Sequence, residues 1–155
     1  NALYSTNTGA IVRPDKNPLM LIRWFPGTSN ASLTTTIAGF VATGTTIYAT
    51  LNGAYLRANT TGNLFFVTRQ GASETTTDLG VRPSTLTSYE IYTADAGVTW
   101  ICRNDTTGAT VATHTTNVPT ATTQLAYVFG GLSATGALNV ANIAYFYVEA
   151  GTSAA

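Results

Sequence analysis

Few side chains in this chain could carry acid–base, thiol or metal chemistry: seven Asp and Glu, one histidine and one cysteine among 155 residues. Three charged groups, Arg69, Glu74 and Asp78, gather in "VTRQGASETTTDLGV", Val67 to Val81. In a strand, side chains alternate faces, so Glu74, Thr76 and Asp78 share one face and Thr75, Thr77 and Leu79 the other. Glu74 and Asp78 then stand ~13 Å apart at ~3.3 Å per residue. A working pair of glycosidase carboxylates is closer, at roughly 5–9.5 Å. Arg69 lies across the Gln70-Gly71 turn and is placed to pair with Glu74, a cross-strand contact worth roughly a few tenths of a kcal/mol. The stretch reads as a hairpin with a charged solvent face. Glu90 and Asp95 differ by an odd number of positions and face opposite ways.

His114, in "THTT", has no cysteine or histidine set around it from which zinc ligands could be drawn. A Ser-His-Asp triad would have to use it, and no G-x-S-x-G elbow exists. It reads as a hydrogen-bonded strand histidine. Cys102 follows Trp100 by two and shares its face, so "VTWIC" reads as a core strand with a buried thiol. Two turn sequences offer hard oxygen donors for calcium, Asn104-Asp105 in "RNDTTG" and Asp15 with Asn17 in "RPDKN". Both fit turns better. No metal or cofactor is expected. Trp24, Tyr55 and Trp100 have rings that could stack on a sugar, against the competing expectation that aromatics of alternating strands fill a sandwich core. Sequons at Asn30, Asn59 and Asn104 fit chance in a Thr-rich chain.

The elements that must hold these groups are strands. No stretch shows apolar residues at helical spacing with a charged opposite face. Short alternating runs separated by Gly, Asn, Asp and Pro predict strands at Ala10–Arg13, Leu19–Phe25, Leu33–Ala42, Thr45–Leu51, Ala54–Ala58, Leu64–Arg69, Glu74–Val81, Ser88–Thr93, Val98–Arg103, Thr110–Thr115, Gln124–Phe129 and Leu138–Glu149. Asn52-Gly53 is a strong hairpin signal. This spacing predicts an all-β, antiparallel sandwich or barrel in one domain. Residues 19–150 form it, with residues 1–18 as an N-terminal arm and 151–155 as a C-terminal tail.

Composition narrows the partners. Net charge is zero and no cluster of Lys or Arg is present, which removes the electrostatic case for nucleic acid or an anionic membrane surface. Apolar runs fall short of a membrane span, and no secretory signal pattern opens the chain. Charged residues are only 9% of the chain, against about 25% in ordinary soluble domains. Threonine, about a fifth of the chain, takes their place. Lys16 is the one lysine, so the usual guard against strand-edge association is missing. Depletion of Lys and Glu beside plentiful Tyr and Arg is also the signature of interfaces. The expectation is a homo-oligomer or a surface packed against other chains.

Several motifs point the same way. "NGAYLRANTTGNLFFVTRQGASETTTDLGV", "GATVATHTTNVPTATTQL" and the closing "LNVANIAYFYVEA" resemble the concanavalin A-like (laminin-G-like) jelly-roll domain of tailed-bacteriophage structural proteins. The residues are Asn52, Gly53, Tyr55 and Arg57, then Val67–Val81, Gly108–Pro119 and Leu138–Val148, within a match from Gly39 to Glu149. "TWICRND", Thr99–Asp105, departs from the pattern. The resemblance implies a two-sheet antiparallel jelly-roll sandwich and a virion location on the capsid surface or tail. It implies a non-enzymatic structural protein, a capsid decoration or cement protein bound to the major capsid protein or other virion subunits. The alternative is a lectin-like carbohydrate-binding module of a tail or fibre, with a glycan as ligand. The E-x-D-x-E array of some jelly-roll glucanases does not occur. Ligand or interface contacts are expected at Tyr55, Arg57, Trp24, Trp100 and Arg69, with no catalytic residue.

Overall fold

The computed structural model describes residues 12–27, 33–42, 51–59, 62–133 and 142–150. Ten strands run through them: β1 (Pro18–Phe25), β2 (Leu33–Ala42), β3 (Gly53–Asn59), β4 (Asn63–Gln70), β5 (Ser73–Val81), β6 (Thr87–Tyr92), β7 (Trp100–Asn104), β8 (Ala109–His114), β9 (Leu125–Ser133) and β10 (Asn142–Ala150). They form two antiparallel five-stranded sheets. Sheet I has the order β10-β1-β6-β7-β8 and sheet II the order β5-β4-β3-β2-β9. The predicted alternation positions these strands to within a few residues. Of the predicted Ala10–Arg13 strand, Val12 forms an isolated bridge to Leu125. The predicted strand Thr45–Leu51, Leu51 apart, lies outside the described residues, as does the 151–155 tail.

Part of the expected arm is fastened to the sandwich. Val12 and Leu125 exchange backbone hydrogen bonds of 2.8 Å, and Pro14–Lys16 forms a 3₁₀ turn that the sequence reading did not anticipate. Proline starts that turn with its φ already suitable. Asn17 Oδ1 then accepts from the Ala96 amide at 2.8 Å, tying the arm to the β6–β7 loop. Gly97 in that loop sits at φ +91°, and an added Cβ would lie 2.4 Å from Pro14 Cβ.

The core lies between the sheets. Met20, Ile22 and Trp24 of β1, Ile91 of β6, and Trp100 and Cys102 of β7 face Phe40, Leu56, Leu64 and Phe66 of sheet II. Trp24 meets Phe129 edge-on at 5.8 Å, and Trp100 packs on Phe40 at 5.7 Å. Truncating one such tryptophan to alanine costs about 3–5 kcal/mol. The sandwich closes at its two open sides by different means. Along β5 and β8, Thr75 Oγ1 donates to the Thr116 carbonyl at 3.1 Å and Thr77 Oγ1 meets His114 Nε2 at 2.9 Å. Along β9 and β10, Tyr127 packs on Phe146 at 4.8 Å.

The middle strands of sheet II bury apolar residues on both faces. The sheet's outer face carries a second buried cluster of Ile37, Val41, Leu51, Tyr55, Val67 and Val128. Gly39 lies opposite Tyr55 in the β2–β3 register, where a Cβ would fall 2.5 Å from the Tyr55 Cα. The glycine lets the two strands approach there.

Candidate functional site

Three of the five expected contact residues come together on sheet II. Tyr55 and Arg57 on β3 and Arg69 on β4 surround Glu74 of β5. Arg57 donates from both terminal nitrogens to the two Glu74 oxygens, at 3.1 and 3.0 Å. Arg69 Nη1 adds a contact of 3.4 Å, so the expected Arg69–Glu74 pair is present. The stronger partner, Arg57, comes from two strands away, which linear spacing does not reveal. Arg57's hydrogen bonds hold the Glu74 carboxyl below its ordinary range, against the opposing effect of partial burial. Burial raises the Tyr55 phenol. An ionised carboxylate with both oxygens engaged is a poor proton donor or nucleophile. The cluster clamps edge strand β5 to β3 and β4.

Glu74 and Asp78 stay in regular register against Arg69 and Phe65, so no break in the strand brings them together. Asp78 instead accepts from Asn63 Nδ2 at 2.7 Å and from the Gly80 amide at 2.8 Å. Trp24 and Trp100 are in the core at 0% exposure and Tyr55 is at 3%, so none of the three expected stacking rings is open to a ligand. His114 is buried, bonded at Nδ1 to Thr68 Oγ1 (3.0 Å) and at Nε2 to Thr77, with its ring on Phe66. The Cys102 thiol is pushed up to about 12 by burial. Both turn sequences weighed for calcium use their donors locally. Asn104 Oδ1 accepts from the Thr106 and Thr107 amides, and Asp15 pairs with Arg13.

Among the described residues, the open aromatic rings are elsewhere, on the outer face of sheet I. Tyr145 and Tyr147 of β10 are 49% and 43% exposed. A register shift between Arg23 and Trp24 leaves Ala144 without a partner. Beyond it, Tyr145, Tyr147 and Glu149 face outward while Phe146 and Val148 pack against the core. Cross-strand pairing sets three rows over this face: Tyr145–Arg23–Ser88; Tyr147–Leu21–Glu90–Arg103; and Glu149–Leu19–Tyr92–Ile101. Rows are ~6.8 Å apart along the strands and columns ~4.8 Å across them. Tyr147 Oη donates to Glu149 Oε2 at 2.7 Å, which raises the phenol above its ordinary value. Arg103 Nη2 pairs with Glu90 Oε2 at 2.6 Å. The result is a platform of two exposed rings and half-buried Leu19, Leu21 and Tyr92, edged by hydrogen-bonding groups. Sequence reasoning missed Tyr145 and Tyr147, although the alternation of Tyr with Phe and Val in "AYFYV" carried the signal.

This architecture is a concanavalin A-like jelly-roll sandwich. A Bacillus licheniformis β-glucanase superposes with a TM-score of 0.60 at 14% identity, over 97% of this chain and 78% of that one. The alginate lyase A1-II' gives 0.66 at 15% identity, over 97% and 71%. The Caenorhabditis elegans galectin LEC-6 gives 0.52 at 11% identity, over 96% of each chain. No protein-family model matches the sequence, and no curated protein matches it. At these identities the likeness establishes the fold.

The matches also correct the functional expectation. A non-enzymatic capsid decoration protein finds no support in a fold shared with a glucanase, an alginate lyase and a galectin, and none of these is a virion protein. The physical reason is that scarce charge has more than one cause. A neutral, hydroxyl-rich surface fits a face for other subunits, but it suits a hydroxyl-rich ligand equally well.

Proposed function

We propose that this protein binds a polysaccharide along the outer face of sheet I. One observation carries the proposal: Tyr145 and Tyr147 are held open, two residues apart on one strand, while Trp24, Trp100 and Tyr55 are buried. Exposed large rings beside polar groups mark binding surfaces. Sugar rings present apolar faces to the tyrosines and hydroxyls to Ser88, Glu90 and Arg103. The kinship in fold with a glucanase, an alginate lyase and a galectin supports a carbohydrate ligand.

Affinity electrophoresis against a panel of soluble polysaccharides tests this. Tyr145→Ala and Tyr147→Ala should each weaken retention by about 5–30-fold, the loss of ~1–2 kcal/mol of stacking. Both positions are exposed, so the variants should unfold like the wild type. Retention on no polysaccharide, or retention unchanged in the double variant, overturns the proposal.

Cleavage of the bound chain is the second reading. Glu90 and Glu149 stand on this face, on either side of Tyr147, with Cα atoms roughly 12 Å apart from the sheet spacings. To reach the roughly 5–9.5 Å of glycosidase pairs, Glu90 would have to leave Arg103 and lean toward Glu149. Release of reducing ends, abolished in Glu90→Gln or Glu149→Gln, would establish it.

A further inference from the structure

We infer that the polysaccharide taken by this face is acidic, with carboxylates on its sugar rings, and that Arg23 receives them; this rests on the glycan-binding proposal above. The inference starts from a census of the arginines. Arg13, Arg57, Arg69 and Arg103 are paired with carboxylates. Arg82 is buried and donates to the carbonyls of Gly27 and Asn59. Arg23 alone among the arginines is exposed with no side-chain ion pair or hydrogen bond among the described residues. It stands in the interior of β1.

Its place on the platform is specific. Arg23 is registered directly opposite Tyr145 on one side and Ser88 on the other. Directly opposed residues have Cβ atoms ~4.5–5.5 Å apart, so a sugar ring stacked on Tyr145 brings its edge substituent to the guanidinium. That fork matches a carboxylate bidentately, and Ser88 adds a hydroxyl. Of the carboxylates around it, Glu90 is neutralised by Arg103, Asp105 lies beyond Ser88 at the far edge of the row, and Glu149 lies two rows from Arg23. The charge directly beside Tyr145 is therefore the Arg23 cation, while Glu149 marks the other end of β10's outward row, ~13 Å away along the strand. An acidic ring is drawn to Tyr145 and turned away from Glu149.

Titration calorimetry of the full chain with sodium alginate, polygalacturonate, a neutral mixed-linkage β-glucan and a sulfated galactan tests the inference. Wild type should bind the two polyuronates more tightly than the β-glucan, and added salt should weaken only the charged ligands. Arg23→Gln should weaken polyuronate binding by about fivefold or more and leave β-glucan binding within about twofold. A wild-type preference for the β-glucan overturns the inference and leaves the glycan-binding proposal standing. Tighter binding of the sulfated galactan than of either polyuronate overturns the carboxylate assignment. Binding of none of the four removes both proposals. Because Arg23 is exposed, an unchanged unfolding curve for Arg23→Gln separates lost binding from lost folding.

Discussion

His114 gives this sandwich a stability that depends on pH in a narrow window. Thr68 Oγ1 donates to the Thr116 carbonyl at 3.1 Å, so it must accept from His114 Nδ1–H at 3.0 Å. Nε2 is then the unprotonated nitrogen and accepts from the Thr77 hydroxyl at 2.9 Å. A second proton on the ring would confront Thr77 with a donor, in a site at 3% exposure with Phe66 against the ring. Burial accordingly lowers the histidine from its ordinary 6.5. The sign follows directly. Above pH 6.5 the ring is neutral in both states and contributes no pH dependence; below it the unfolded chain takes up the proton first and stability falls. The slope is at most ~1.4 kcal/mol per pH unit, which accumulates to at most about 2 kcal/mol between about pH 7.5 and pH 5. Glu74 works in a separate window. Its carboxyl is held below 4.5, so its contribution is full above that value and is lost only on further acidification. Urea unfolding, followed by fluorescence of the buried Trp24 and Trp100, measures the effect. His114→Gln should start lower in stability and be flat across the same range. A wild-type stability constant from pH 7.5 down to about pH 5, or a slope that persists in His114→Gln, would refute this account of the histidine.

Two further outcomes follow from burial and backbone geometry. Cys102 is fully buried with its thiol pushed up to about 12, so an aromatic disulfide reagent near pH 8 should find no reactive thiol in the native protein and one after denaturation; one equivalent of native reaction would contradict it. Gly97→Ala should cost about 1–3 kcal/mol, because the new Cβ meets Pro14 at 2.4 Å and φ is +91°. Gly108→Ala, at φ +71° with nothing within 4 Å, should cost less in the same thermal melts, and equal losses would show that the Pro14 contact is unimportant.

Much of the fold was legible because its local signals agree. Alternating Thr and aliphatic residues specify strands, and Gly71, Asn104 and Gly108 punctuate them where the turns occur. What the pattern did not reveal depends on pairing between distant strands. Burial of both faces of β3 and β4 was written in runs such as "LFFV" and "AYL", which are continuously apolar rather than alternating. Reading them as alternating left Tyr55 available for a ligand, when it belongs to the second buried cluster. The charge cluster was half legible. Arg69 and Glu74 oppose each other across a short turn, whereas Arg57 reaches Glu74 only because β3 and β5 both flank β4. The platform was the least legible part, because its rows draw residues from β1, β6, β7 and β10, far apart in the chain.

Scarcity of charge is where sequence and structure diverge most usefully. A chain can dispense with Lys and Glu because other subunits cover it or because its ligand is itself a polyol, and composition does not separate the two. The placement of aromatic rings shows which face is left open to a partner. On β10, rings without a polar tip or with burial available turn inward: Phe146 packs on Tyr127 of the opposite sheet. The outward positions of the same strand carry tyrosines, whose hydroxyls stay wet, and the Ala144 bulge fixes that phase. A one-residue slip would bury Tyr145 and Tyr147 and expose Phe146 and Val148. The register that completes the core is thus the same one that opens the platform, and it places Tyr145 directly beside the unpaired Arg23. Folding and the proposed recognition depend on a single pairing, β10 on β1, so damage to that pairing should weaken both together.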